Sequence, residues 1–239
     1  MAFGKRAQPP RVSDVAENIE LSRGGPSATP QRLTEQELRD AFEAGHPFAQ
    51  MMFDAYGEAG GRVHVETLIG AAAALAGEFA LRATVPPDKL DHRDGWVLGG
   101  ASDGLLYADE QSGVLTIWTL VGVAFSTPGS QFIRPSIEDI VRRNAAQIGK
   151  SPYPLLTVPN SHFPHEWSPN ATLKLRSKVQ QIATARSLNA RQTALALGWA
   201  LSNILRQSKQ TSIPPLVAAT LAGEIMIGVS RMMPLQKGY

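Results

Sequence analysis

The chain has 239 residues, a formal net charge of +2, and 43% hydrophobic and 18% charged residues. This balance is typical of a soluble globular protein, and the length is sufficient for a substantial buried core. The chain contains no cysteine, which excludes a disulfide framework, a thiolate metal site and a cysteine nucleophile.

The first 32 residues are rich in Pro, Gly, Ser and Arg and include the stretch GGPSATP at 24–30. This composition predicts a flexible N-terminal arm or linker, residues 1–32. The arm begins with MAFGKRAQPPR, which contains no apolar signal-peptide segment, so we expect a cytoplasmic location. Residues 33–239 are predicted to form a single helical domain.

The domain is predicted to open with two short helices. Thr34 followed by Glu37 forms a capping-box pattern and begins the first helix. Gly45 and the following Pro47 are expected to end it. A second helix is predicted at Phe48–Tyr56, where apolar residues recur at helical spacing.

Two long apolar segments, Val63–Ala83 and Leu216–Met233, are also predicted to be helices. Glu78 lies within the first segment and Glu224 within the second. A carboxylate is costly in lipid, so we expect core helices and no membrane span.

The segment 104–123 allows two interpretations. The β-branched and aromatic run Val114–Val123 can pair with Leu105–Tyr107, which would give a small β-hairpin around 104–119. A buried helix is the alternative, because a short apolar run cannot be typed by periodicity alone. We favour the helix, since the flanking segments are helical. A further helix is predicted from Pro135 to Gln147.

The most apolar helix is predicted at Asn189–Gln207, with Asn189 and Gln192 as a capping box. A helix that is apolar on nearly all sides must be covered by other elements. A second helix starts at Ser168–Pro169 and carries the apolar stripe Leu175, Val179 and Ile182. These patterns predict an all-α fold, a multi-helix domain with an orthogonal or bundle-like arrangement.

Residues 100–104, GASDG, match the pattern G-x-S-x-G. This pattern resembles the nucleophile elbow of α/β-hydrolases, in which glycines let a strand turn sharply into a helix that presents a serine. Asp139 and then His162 or His165 follow in the chain order of that family. The resemblance implies a serine hydrolase with Ser102, Asp139 and His165 as catalytic residues. A glycine-rich turn between helices is the alternative.

The stretch His162–Glu166 places two imidazoles and a carboxylate within five residues. His162, His165 and Glu166 are therefore candidate ligands of a divalent metal in a metal-dependent hydrolase, completed by Asp91 or His92. The alternative is a loop anchored by its aromatic residues, and no cofactor is expected in that case.

Glu43-x-x-His46 is half of the motif that ferritin-like bundles use for two iron ions. Glu78 and Glu224 are the candidate bridging carboxylates. We favour the alternative that these two glutamates are partly exposed or pair with arginines of neighbouring helices.

The charges are distributed unevenly along the chain. From Trp167 onward there are nine Lys or Arg residues and one acid, a balance of +8. Residues 1–166 carry the other 14 bases and 20 acids, a balance of −6. Such a split is typical of proteins with an anionic partner, and it also arises when an acidic part packs on a basic part, within or between subunits.

These observations favour a non-enzymatic helical binding protein, with self-association as a homodimer among the alternatives. We expect a protein partner to bind the basic residues of the helix at 170–191: Lys174, Lys178, Arg186 and Arg191. Nucleic-acid binding through the same helix is the third hypothesis, disfavoured because stacking aromatics are nearly absent there.

Overall fold

A computed structural model describes residues 33–57, 63–90, 100, 102–107, 114–232 and 234. The predicted arm, residues 1–32, lies outside this range. The described residues form eight α-helices and no strand, which confirms the all-α prediction. The helices are α1 Glu35–Tyr56, α2 Val65–Thr84, α3 Asp103–Leu106, α4 Ile117–Phe125, α5 Ile137–Gln147, α6 Pro169–Ala185, α7 Ala190–Ser208 and α8 Pro215–Val229.

The segment 104–119 contains helices at both of its ends. Leu105 and Leu106 belong to α3, and α4 begins at Ile117 after its N-cap Thr116. Thr116 and Thr119 exchange the hydrogen bonds of a capping box, which favours the helical state of this apolar run. The helical alternative is therefore the one that the described residues show.

Helix α7 lies at the centre of the fold, as its apolar sequence predicts. Asn189 and Gln192 form the predicted capping box at its start. The helix packs mainly against α1, α2 and α4. Gly198 allows Ile117 and Leu120 of α4 to come close, and one apolar cluster includes buried residues of all eight helices.

Helix α1 continues through Pro47, so the predicted break at Gly45 is wrong. A Cβ on Gly45 would lie 2.6 Å from the Cβ of Trp199. This glycine therefore permits close packing of α7 rather than ending a helix. Ala44, which precedes Gly45, and Phe48, which follows Pro47, are fully buried. Their packing holds the helix together although Pro47 lacks a backbone N–H donor.

Helix α2 is buried along most of its length and contacts α6, α7 and α8. Its small residues let these helices approach closely, most of all at Gly77. A Cβ added to Gly77 would lie 2.3 Å from the carbonyl oxygen of Met226 in α8. None of the described helices has both the length and the apolar composition needed to cross a membrane.

The packing of α8 on α2 predicts that Gly77→Ala destabilises the protein. The added methyl group clashes with the backbone of α8, and overpacking of this kind costs about 1–3 kcal/mol. Urea unfolding measures the loss. Gly104→Ala is the matched control, because a Cβ at Gly104 meets nothing within 4 Å. Equal losses in the two variants would contradict this account of the interface.

Candidate functional site

A buried ion pair fixes the orientation of α6. Glu78 of α2 is 2% exposed and accepts two hydrogen bonds from Arg176 of α6, with N···O distances of 2.5 and 2.9 Å. Arg82 donates a third at 2.7 Å. Burial raises the pKa of Glu78, but the hydrogen bonds and charges of Arg176 and Arg82 outweigh burial and hold its pKa below the ordinary value. The predicted pairing of Glu78 with arginines is thus observed.

The exposed side of α6 and its C-cap carry two of the four basic residues singled out by the sequence, Lys178 and Arg186. Residues advance by about 100° around an α-helix, so Lys178, two positions after the inward-facing Arg176, points away from α2. Lys178 and Arg186 are both exposed. Neither forms an ion pair with a carboxylate among the described residues.

The other two predicted partner-binding residues are engaged within the fold. The Lys174 ammonium lies 4.1 Å from the ring centroid of Tyr56 and donates to the carbonyl of Ala55, in the last turn of α1. A cation at that position interacts favourably with the helix dipole. Arg191 is half-buried and acts on Glu37. Hydrogen bonds from Thr34 lower the pKa of Glu37, and the charge of Arg191 lowers it further.

A second buried carboxylate ties the loop before α6 to the core. Glu224 of α8 is fully buried and accepts from the Thr157 amide at 2.8 Å and the Thr157 hydroxyl at 2.6 Å. Arg143 of α5 also donates to it, at 3.2 Å. Glu43 and His46, the proposed half of an iron motif, are exposed on α1. The two buried glutamates therefore join helices through arginines.

Three histidines gather at the N-terminus of α2. His162 Nδ1 lies 2.9 Å from one oxygen of Glu66, and His64 Nε2 lies 3.5 Å from the other. The rings of His64 and His165 stack with centroids 3.4 Å apart. The His165 amide donates to the hydroxyl of Thr67. These contacts join the loop to Glu66 and Thr67 of α2. The sequence of the loop alone does not predict these partners.

The metal hypothesis named His162, His165 and Glu166. The structure brings the first two to Glu66 and His64, and Asp91 and His92 lie outside the described residues. Within the described ranges, no group of three His, Asp or Glu side chains is arranged to hold a metal ion. In the sequence, His64 lies two residues before Glu66. This spacing alone predicts no site, because the third member, His162, comes from a loop far along the chain.

Ser102 precedes the four-residue helix α3 and is 1% exposed. Its hydroxyl has no hydrogen-bond partner among the residues that the structure describes. Asp139 lies in the first turn of α5 and pairs with Arg142, while His165 stacks on His64. In the part of the chain that is described, no hydrogen bond joins these three proposed catalytic residues. The serine-hydrolase hypothesis stays a prediction.

The proline-rich loop forms an apolar groove of about 210 Å³. Its walls include four prolines and two exposed aromatic side chains, Phe163 and Trp167. The indole N–H of Trp167 donates to the carbonyl of Tyr153 at 3.0 Å, which fixes the ring while leaving 47% of the residue exposed. Glu166 is the acidic residue among the lining side chains. The groove thus offers apolar surface with one negative charge.

Comparison of the chain with protein-family models, with curated proteins and with solved structures finds no match. Function is therefore inferred from two features, the exposed bases of α6 and the groove in the loop before it.

The buried pair at Glu78 predicts a pH-dependent contribution to stability. Because its pKa is lowered in the folded state, the contribution is present above the ordinary value of 4.5 and is lost as the pH falls through the folded value. Glu78→Gln leaves two arginines without their counter-charge and should cost about 3–5 kcal/mol at neutral pH. Urea unfolding at a series of pH values should show this difference shrinking below pH 4.5.

Glu35→Gln is the control for this experiment. Glu35 forms an exposed pair with Arg39 on α1, and such pairs contribute about 0–1 kcal/mol. A Glu78→Gln variant that is as stable as this control at neutral pH would contradict the anchoring role of the buried pair.

Proposed function

We propose that this protein is a non-enzymatic binding protein that engages an acidic protein surface through the exposed side of α6. We name Lys178 and Arg186 the basic face. The single observation that supports the proposal is that both side chains are exposed without an ion-pair partner among the described residues. The surrounding stretch, residues 167–223, contains no Asp or Glu, so no acid within it neutralises Lys178 or Arg186.

A second copy of the chain is the first partner to test. The outer side of α1 carries exposed acids, including Glu43 and Asp54, and so offers a surface of the opposite charge. Complementary charges accelerate association and select its orientation. Because the two surfaces differ, the contact would be heterologous, joining α6 of one copy to α1 of the next.

A protein partner fits this surface better than a nucleic acid does. Proteins that neutralise about 6–10 phosphates lose affinity by several orders of magnitude with added salt. Two of the four predicted bases, Lys174 and Arg191, are engaged within the fold, and α6 contains no aromatic residue for base stacking. The basic face therefore provides few of the contacts that nucleic acids require.

The test is sedimentation velocity at about 50 mM and about 500 mM NaCl, conditions that differ strongly in screening length. We expect salt-sensitive self-association of the wild-type chain. Reversal of the basic face by Lys178→Glu and Arg186→Glu should weaken it about tenfold, which corresponds to about 1.4 kcal/mol. Lys89→Glu with Lys150→Glu is the control, because it makes the same charge change at two exposed positions outside α6.

Polyglutamate serves as a second probe, for a partner other than a second copy. Its binding, measured by fluorescence anisotropy, should be lost in the reversed variant and retained in the control. A chain that neither self-associates nor binds polyglutamate at low salt would contradict the proposal. Tighter, steeply salt-dependent binding of mixed-sequence DNA would favour the nucleic-acid hypothesis instead.

A further inference from the structure

The groove before α6 has the character of a site for a proline-rich segment. Extended proline-rich segments lose little conformational entropy on binding and dock against aromatic side chains. Phe163 and Trp167 provide two partly exposed rings, and Trp167 is held in place by its bond to Tyr153. Glu166 forms no ion pair among the described residues and is placed to receive a basic residue next to the prolines.

The chain itself contains segments of this chemistry before the described domain. Pro9-Pro10-Arg11 and Pro30-Gln31-Arg32 both combine proline with a following arginine. Both precede Leu33, the residue at which the described domain begins. Geometry distinguishes between them.

The groove lies toward the end of α1 that is remote from Leu33. Lys174 lies five residues after Pro169 of the groove wall and contacts Ala55 and Tyr56, which places the groove near the last residue of α1. Helix α1 has 22 residues and, at about 1.5 Å per residue, is about 33 Å long. A segment that reaches the groove from Leu33 must therefore cross about that distance.

Only the first segment is far enough from Leu33 to do so. Pro30 is three residues from Leu33, and three extended residues span about 10 Å. Arg11 is separated by 22 residues, for which a random coil has an r.m.s. end-to-end distance of about 26 Å and a fully extended chain about 70 Å. Effective concentration is highest when the r.m.s. length is close to the distance to be crossed.

We propose that the groove binds Pro9-Pro10-Arg11 of the same chain, with the prolines against Trp167 and Phe163 and the Arg11 guanidinium against Glu166. This inference goes beyond the proposed function and does not depend on the basic face. It assigns the groove an internal ligand, so that any external proline-rich peptide must compete with the chain's own segment.

Because the chain contains no cysteine, spin labels attach only to cysteines that are introduced on purpose. Cysteines introduced by Gln8→Cys, beside the prolines, and Asn170→Cys, beside Pro169 of the groove wall, carry nitroxide labels in the otherwise full chain. Double electron–electron resonance should give a narrow distance distribution, because a docked segment holds the two labels at one separation, whereas a free coil gives a broad distribution.

Charge variants identify the contact. Arg11→Glu should broaden the distribution, and combining it with Glu166→Arg should restore the narrow peak, because the ion pair is re-formed with exchanged charges. Arg32→Glu is the control and should leave the peak unchanged. A broad distribution in the wild type, a peak insensitive to Arg11→Glu, or failure of the exchanged pair to restore it would each overturn the proposal.

The same measurement separates the chain's own segment from that of a second copy. Mixing the doubly labelled chain with an excess of unlabelled chain leaves an intramolecular distance unchanged. A narrow peak that disappears on mixing would show that the segment comes from another copy, and this would overturn the intramolecular assignment.

Discussion

The bidentate pair between Arg176 and Glu78 is the contact on which the position of the proposed binding surface depends. It fixes how α6 is rotated against α2, since a buried carboxylate that lost this partner would be left with a large desolvation cost. With Arg176 directed inward, Lys178 is directed outward. The position of the exposed bases is therefore a consequence of an interaction in the core.

Buried carboxylates hold neighbouring segments at two other places in the fold. Glu224 holds the backbone and side chain of Thr157, and Glu66 holds His162. In each case a carboxylate on a core helix receives hydrogen bonds from the long connection between α5 and α6. This connection forms the groove, so its shape is set by two helices, α2 and α8, that do not belong to it. The buried carboxylates thus position this irregular connection together with its own apolar anchors, such as Tyr153 and Val158.

Local signals in the sequence predicted most of the helices. The capping box of Asn189 and Gln192, the proline start at Pro169 and the stripe of Leu175 and Val179 are all observed. Such signals involve residues within a few positions of one another. The break at Gly45 was predicted by the same reasoning and is wrong. Gly45 is needed there because Trp199 of α7 packs directly against it, and local sequence does not reveal that contact.

The candidate site could be predicted only in part. The sequence predicted that Lys178 and Arg186 are exposed, because charged residues opposite the apolar stripe of a helix face the solvent. The partners of His162 and of Arg176 were missed or left open, because Glu66 and Glu78 precede them by 96 and 98 residues. No periodicity or spacing relates positions so far apart; only the packing of α2 against the rest of the chain brings them together.

Hydrogen exchange of the α6 amides in the wild type and in Glu78→Gln tests the central claim most directly. If the buried pair holds α6 in place, exchange in α6 should become at least tenfold faster in the variant, while exchange in α7, which does not depend on the pair, stays unchanged. Equal protection of α6 in the two proteins would show that apolar packing alone orients this helix and would contradict the account.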